Sequence, residues 1–416
     1  MAEEALLPEI IAEILSRLPV KSLCRFKSVS KPWNSLINSP NFIKLHISKT
    51  LISENNHKNP NLIFCSVSFS TAAIAAHFRF TELHHPLLNF PDCDIVKILG
   101  SCNGVVCISP ASRAYACLYN PTIGTHHLLP PTPSRFPEPN RKPMPRNPYP
   151  KPEEHILIYG FGYDSVSDDY KLLRILEYSK NSVFVGSEIC LYSLKNNSWK
   201  FVVDDKYVNS AGLQFCNGTL FNESLHFVQH DSETRPFIRC FNLRTETFSV
   251  MELPKVDENY YKFCFVMRQV GEYLSFFLLN YHDLDISGWH YRLVNADFWI
   301  LKEATWVRLF SISDMSSIGV RMSIKPLVYS EDGQKILLEL DDREFGWYDW
   351  EKKHLVRVLI RGLPRDKAPS DTFTYVESLV SFGKLNCNSK GKTTVSKKRK
   401  KNNVDRFLSS GFKLKL

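Results

Sequence analysis

Five segments of this chain share one grammar: CLYNPTIGTHHLL, CLYSLKNNSWKFV, RCFNLRTETFSVM, DFWILKEATWVRL and GWYDWEKKHLVRV. Each carries an aromatic anchor: Tyr119, Tyr192, Phe241, Trp299 or Tyr348. Seven positions on stands another bulky side chain: His126, Trp199, Phe248, Trp306 or Leu355. The aromatic closes one strand, a polar turn follows, and the bulky residue opens the return strand. That pattern predicts one β-hairpin used five times.

The anchors lie 73, 49, 58 and 49 residues apart, near the ~50-residue period of kelch-type blades. Ahead of them run further turn-and-strand pairs: GSCNGVVCI, GYDSVSDDYKLLRI, CNGTLFNESLHFV, VGEYLSFFLL and SEDGQKILLEL. Each unit then holds two hairpins, or four strands, which is one propeller blade. Asn103-Gly104 and Asn217-Gly218 are the best individual hairpin turns, because both positions tolerate positive φ. A sixth blade is expected from the two ends of the region, NLIFCSVSFS near residue 65 and FTYVESLVSF near residue 378; joining them removes the open edges. The fold class is mainly β, a propeller of about five to six blades preceded by a small three-helix module. A β-sandwich of the same hairpins is the rival, and the fixed period argues against it.

The helical module is LPEIIAEILSRLPVKSLCRFKSVSKPWNSLI, residues 7 to 37. Leu7, Ile11, Ile14, Leu15 and Leu18 fall on one helical face. Pro8 sits where its missing N–H is harmless, and Pro19 closes the helix. A second helix is predicted over Ser22 to Val29 and a third from Pro32, carrying Trp33, Leu36 and Ile37 and ending at Pro40. From about His46 to Pro60 the apolar pattern weakens into a linker. So small a segment rarely folds alone. Periodicity alone leaves two readings, a helical cap docked on the blades or a module completed by another protein; the residue order set out below favours completion by a second polypeptide, not by the blades behind it.

The 416 residues are 44% apolar and 23% charged, which suits a soluble globular protein. No apolar run reaches the ~18 residues of a membrane span, and the acidic start is unlike a secretory signal. Eleven unpaired-looking cysteines suit a reducing compartment, cytoplasm or nucleus. The net charge of +9 misleads: from Lys384 onward eleven Lys and Arg face the single Asp405, which leaves the body near −1. A neutral body gives no footprint for nucleic acid. The tail is expected to be disordered, and Lys397, Lys398, Arg399, Lys400 and Lys401 fit a nuclear import run or a solubilising charge cluster. Pro130 to Pro152 reads as an extended loop whose PPTPSR fits a proline-helix ligand or, more simply, a spacer.

No G-x-S-x-G, H-E-x-x-H or phosphate-loop motif is present. Cys102 and Cys107 lack the second pair of a metal site. His84-His85 and His126-His127 are neighbours that point to opposite faces of a strand. Asp168-Asp169 and Asp341-Asp342 lie beside turns, where Asp bonds the local backbone. Trp199, Phe248, Trp306 and Trp347 recur with the blades, which marks them as packing residues. The loops DENYYKF and HDLDISGWHY offer Tyr260, Tyr261, Trp289 and Tyr291 as substrate contacts, since interface hot spots favour Tyr and Trp. No cofactor and no metal are expected, and the chain reads as non-catalytic.

The order Leu7-Pro8-Glu9, Ile14-Leu15, Leu18-Pro19-Val20-Lys21, Leu23, Arg25-Phe26, Val29-Ser30-Lys31, Trp33, Leu36-Ile37 and Pro40-Asn41-Phe42 closely resembles the F-box. Ser30 stands where that family often has cysteine. ILGSCNGVVCI, LYNPTIGTHHLLPP, YGFGYDSVSDDYKLLRI, IRCFNLRTETFSVMELP and KPLVYSEDGQKILLEL resemble the F-box-associated interaction domain of plant F-box proteins. The whole chain resembles the plant group that includes negative regulators of defence signalling. The resemblance implies an F-box over residues 1–48, a linker over 49–60, a substrate-binding propeller over 61–383 and a basic tail over 384–416. It implies a Skp-type adaptor, and through it a cullin, bound by Leu7, Pro8, Leu15, Leu18, Pro19, Val20, Leu23 and Trp33, with Trp33 alternatively holding the helices together. The implied function is target recognition for a ubiquitin ligase. A non-degradative adaptor and a propeller enzyme or glycan binder are the alternatives.

Overall fold

The computed structural model describes residues 7–52, 61–65, 69–73, 79–83, 85–89, 96–110, 115–135, 153–180, 183–203, 217–229, 236–254, 263–283, 291–358 and 370–382. The helices and sheets below belong to one compact unit, Met1–Ser381. The chain opens with helices α1 (Pro8–Leu15), α2 (Val20–Phe26), α3 (Lys31–Ile37) and α4 (Pro40–Ile52). Pro8 and Pro32 occupy first turns, where no N–H is needed. Ser30 caps α3 by accepting the Trp33 N–H at 3.3 Å.

The fourth helix corrects the sequence reading. Pro40 does not end a helix but begins one, with Ser39 Oγ accepting the Phe42 N–H at 3.3 Å. α4 then runs to Ile52, through the start of the expected linker. Its buried side is made by Phe42 and His46. A histidine in that place hides the helical period.

Six four-stranded antiparallel sheets follow. Five are built from consecutive strands, inner to outer. They are β4 (Val96–Cys102), β5 (Val105–Pro110), β6 (Cys117–Asn120) and β7 (Thr125–Leu128); β8 (Glu153–Asp164), β9 (Asp169–Lys180), β10 (Val183–Ser193) and β11 (Ser198–Phe201); β12 (Thr219–Phe221), β13 (Ser224–Gln229), β14 (Phe237–Asn242) and β15 (Thr247–Glu252); β16 (Phe263–Val270), β17 (Tyr273–Asp283), β18 (Tyr291–Lys302) and β19 (Thr305–Ile312); and β20 (Ile324–Tyr329), β21 (Lys335–Leu340), β22 (Glu344–Asp349) and β23 (His354–Val358). The sixth sheet joins both ends of the region: β24 (Ser370–Tyr375) is innermost and pairs with β1 (Asn61–Cys65), followed by β2 (Phe69–Ala73) and β3 (Arg79–Glu82). The inner strands touch in the cyclic order β4, β8, β12, β16, β20, β24 and back to β4. The sheets are therefore six blades of a closed propeller, the sixth shared between the two ends as the sequence suggested.

The repeated hairpin has a common chemistry. Tyr119 faces His126, Tyr192 faces Trp199, Phe241 faces Phe248 and Tyr348 faces Leu355 in register. After each aromatic comes Asn120, Ser193, Asn242 or Asp349, whose side chain accepts a backbone N–H two or three residues on. Such local bonds stabilise a turn in place of a continuing strand. The last turn residue is left-handed in all four: Gly124, Asn197, Glu246 and Lys353. The fourth blade departs. A bulge at Phe298/Trp299 sets Trp299 opposite Arg308, and Trp306 faces Leu301. Its turn is only Glu303-Ala304, both at positive φ.

Asn103-Gly104 forms the expected two-residue turn, at φ 51° and 75°. Asn217-Gly218 does not. The β12–β13 turn is Asn222-Glu223, at φ 46° and 56°, while Asn217 and Gly218 lead into β12 at a blade seam. There Gly218 N donates to Tyr159 O at 2.7 Å, Asn217 Oδ1 accepts the Tyr159 N–H at 3.2 Å, and a Cβ on Gly218 would meet Phe227 at 2.5 Å. The glycine is needed for close approach, not for a turn.

GFGYDSVSDDYKL is likewise a seam motif. A Cβ on Gly160 would lie 2.7 Å from Leu225, and one on Gly162 2.6 Å from both Leu220 and Leu243. The third blade thus packs directly on the β8 backbone. Trp199 and Trp306 tie blades together from outside, donating from Nε1 to Pro130 O at 2.9 Å and Glu252 O at 3.0 Å. Trp347 packs with Leu62 between the fifth and sixth blades. Gly162→Val is expected to lower folding stability by ~1–3 kcal/mol through overpacking at the seam, measured by urea denaturation. An unchanged midpoint would contradict the close approach.

Candidate functional site

The propeller has two unlike ends. Short turns, including Asn103-Gly104 and residues 121–124, 165–168 and 194–197, lie at the end that carries the helices. Ile123 of one turn joins the helical core, and Lys44 pairs with Asp168 of another at 2.7 Å. The opposite end receives the longer connections, among them 129–152, 202–218, 253–262, 284–290 and 359–369.

The helical core consists of Leu15, Val20, Leu23, Ile37 and Phe42, all buried, together with Leu379 from beyond β24. The expectation that only a second polypeptide completes this module is therefore corrected. Leu379 (2% exposed) and the half-buried Ile123 cover part of it from the chain's own propeller. The backbone behind Leu379 is held by Asn120, which is fully buried. Its Nδ2 donates to Ser378 O, Ser378 Oγ and Val380 O at 3.0, 3.1 and 2.9 Å. Residues 376–381 form a strap across the first blade, close against Gly104.

α1 divides its apolar residues between two sides. At about 100° per residue, positions 10, 14, 7, 18, 11 and 15 fill a sector of roughly 140°. The Ile11, Leu15 and Leu18 edge turns into the core. The other edge faces out: Leu7, Ile10 and Ile14 are 62%, 44% and 51% exposed. Of the residues singled out from sequence, Leu7, Pro8 and Pro19 are exposed, Leu18 and Trp33 half-buried, and Leu15, Val20 and Leu23 internal. Trp33 meets Phe26 edge-on at 5.6 Å and binds helix to helix. The exposed Ile10 was missed. Sector width was its signal, because a stripe that wide exceeds what one small core can cover.

The remaining candidates take structural places. Asp341 accepts the N–H groups of Met322 and Ser323 at 2.7 and 3.0 Å. Asp169 accepts Ser193 Oγ and Lys195 N at 2.6 and 2.8 Å. Burial raises the Asp164 pKa, but hydrogen bonds from Ser167 and Lys171 outweigh it and hold the carboxyl at about 2. Lys171 is occupied by Asp164, Glu246 and the Leu243 carbonyl. Burial raises the thiols of Cys102 and Cys117 to about 12 and those of Cys190 and Cys240 to about 11, far from the thiolate that nucleophilic chemistry needs. The propeller centre holds a cavity of about 100 Å³ lined by all six inner strands, including Ser101, Phe161, Thr219, Arg268, Leu327 and Thr372. None of the described residues lining it is Asp, Glu, His or Cys. Among the described residues no group of three His, Cys, Asp or Glu side chains converges, and no helix is long and apolar enough to cross a membrane.

Pro130 to Arg135 is fastened to the second blade: Arg135 N donates to Glu188 Oε2 at 2.6 Å, and its guanidinium lies 4.1 Å over Phe201. Residues 136–152, Tyr260, Tyr261, Trp289, the side chain of Tyr291 and the run 397–401 lie outside the described residues.

The described residues thus form a closed propeller with a helical module clasped to its short-turn end. The model of the F-box associated beta propeller domain matches residues 59–382, and that of the F-box domain matches residues 5–45. The chain belongs to the F-box associated β-propeller family. It is 27% identical to F-box protein CPR1 of Arabidopsis thaliana, over 98% of each chain. Identity is 28% to F-box protein At4g22390, again over 98% of each, and 27% to F-box/kelch-repeat protein At3g23880, over 80% of this chain and 84% of that one, both from the same plant.

His46 gives the docking module a pH limit. Its Nε2 donates to Leu18 O at 2.9 Å while Nδ1 is buried without a partner. Burial lowers its pKa below the ordinary 6.5, against the raising effects of the Leu18 carbonyl and Glu377. The unfolded state then binds the proton more readily, so this stability is present above about pH 6.5 and lost as pH falls below it. Amide exchange of α1–α4 is expected to accelerate, relative to intrinsic rates, between pH 7.5 and 5.5, and less so in His46→Gln. Equal sensitivity in both proteins would contradict this assignment.

Proposed function

We propose that this chain is the substrate-recognition subunit of a Skp-cullin-F-box ubiquitin ligase. The observation that carries the reading is the outward stripe of Leu7, Ile10 and Ile14 on a module whose other side is already filled. Three large apolar side chains in one exposed row on one helix call for a partner, and each gives roughly 1.5–3 kcal/mol when fully buried. A Skp-type adaptor is the partner of this domain type. Leu7, Pro8 and Pro19 contribute contact, while Leu15, Leu18, Val20, Leu23 and Trp33 hold the surface in shape.

The target docks at the far end, at which the strands bounding the long connections end, including those carrying Tyr260, Tyr261 and Trp289. Connections on a rigid scaffold are where recognition is built. Defence-signalling components are the target class that the family resemblance suggests. The ligase then works by proximity: the assembly raises the local concentration of ubiquitin-loaded enzyme near target lysines. The chain itself makes no bond in this reading, which the burial-raised thiols of Cys102 and Cys117 support. Nuclear entry through residues 397–401, beside a cytoplasmic pool, belongs to the same proposal.

Ile10→Asp/Ile14→Asp is expected to weaken adaptor binding by over tenfold with the melting temperature nearly unchanged, because both positions are exposed. In plant cells the same variant is expected to lengthen target half-life. Retained adaptor binding would sink the docking face. Lost binding with an unchanged target half-life would identify a non-degradative adaptor.

A further inference from the structure

The F-box core contains one residue from the other end of the chain. Leu379 is 2% exposed and packs with Leu15, Val20, Leu23, Ile37 and Phe42, the side chains that support the inner edge of α1. It enters on the strap of residues 376–381, which directly follows β24, the strand that closes the propeller. Asn120, 258 positions away from Ser378, fixes the strap through the two N–H groups of its amide, one of them shared, which reach Ser378 O, Ser378 Oγ and Val380 O. Its Oδ1 is occupied by the Thr122 N–H at 2.9 Å, so the amide orientation is set. Glu377 of the strap lies 3.7 Å from Lys21 of α2.

Resting on the adaptor reading above, the structure assigns Leu379 as a positioning residue of the adaptor-docking face, completed in cis from the C-terminal side of the propeller. α1 has apolar residues on two edges, and which edge faces out depends on what fills the inner one. Leu379 fills it. With the strap released, the inner edge loses its cover, and Leu7, Ile10 and Ile14 lose their fixed presentation. Docking competence is thereby tied to ring closure: a chain whose β24 has not paired with β1 cannot deliver Leu379. Asn120 acts one step further back, through the strap backbone.

The test uses the full chain and a purified Skp-type adaptor. Leu379→Met keeps volume and apolarity and is expected to bind within about twofold of wild type. Leu379→Asp is expected to weaken binding by about tenfold or more. Leu379→Ala, which adds no charge, is expected to weaken it several-fold and keeps the test usable where Asp disturbs the whole chain. Asn120→Asp is nearly isosteric and keeps the Thr122 contact but loses the Nδ2 donors, so it is expected to weaken binding several-fold too. Hydrogen exchange in these variants is expected to rise in α1–α3 while β8–β19 stay protected, a split that general destabilisation would not give. Wild-type binding with Leu379→Asp and Leu379→Ala both within twofold of it would overturn the assignment. A wild-type chain that does not bind the adaptor would overturn the adaptor reading, and this inference with it.

Discussion

The pairing of β24 with β1 carries the most structural consequence in this molecule. Asn61 faces Tyr375, Leu62 faces Thr374 and Ile63 faces Phe373, although the strands are some three hundred residues apart in sequence. Without that pairing β24 and β1 would each present an open strand edge, and such an edge is both unstable and adhesive. With it, the six inner strands form a ring and Leu62 and Ile63 become fully buried. The same closure sets down the next few residues at the short-turn end, where Asn120 receives them. The helical module is clasped to the propeller at that point.

The blade framework was legible because its causes are local. An aromatic, a turn-forming Asn, Ser or Asp and a left-handed residue before the return strand recur at fixed spacing. Each leaves its mark within eight residues. The errors share the opposite character. Asn217-Gly218 carries a turn composition, yet its glycine serves a close approach to Phe227 from another strand. Trp299 keeps the repeat spacing, yet a bulge moves its partner to Arg308. α4 was hidden because its buried side includes His46, whose burial is sustained by a bond to Leu18, 28 positions away. Contacts far along the chain decided the first and the last of these cases.

The docking module was half legible. Its apolar residues and their helical period are plain in the sequence, and so is the family they resemble. Sequence could not divide them between an inward and an outward edge, because the division is set by packing among the helices and by Leu379 from the far end of the chain. Leu15, Val20 and Leu23 are therefore core residues of this chain, while Ile10, which has no place in the motif as first read, stands in the exposed row. The tyrosines and tryptophan favoured for target recognition remain defined by their connections alone, which all leave the propeller at the end away from the helices.

The central claim is that the inner edge of α1 is satisfied within the chain and the outer edge awaits a partner. Hydroxyl-radical footprinting of the full chain, free and with a Skp-type adaptor, tests it most directly. The account predicts that Leu15, Leu23 and Leu379 are unreactive in both states, while Leu7, Ile10 and Ile14 are reactive when free and shielded in the complex. Reactive Leu15 and Leu23 in the free chain, or an outer row that stays reactive in the complex, would contradict it.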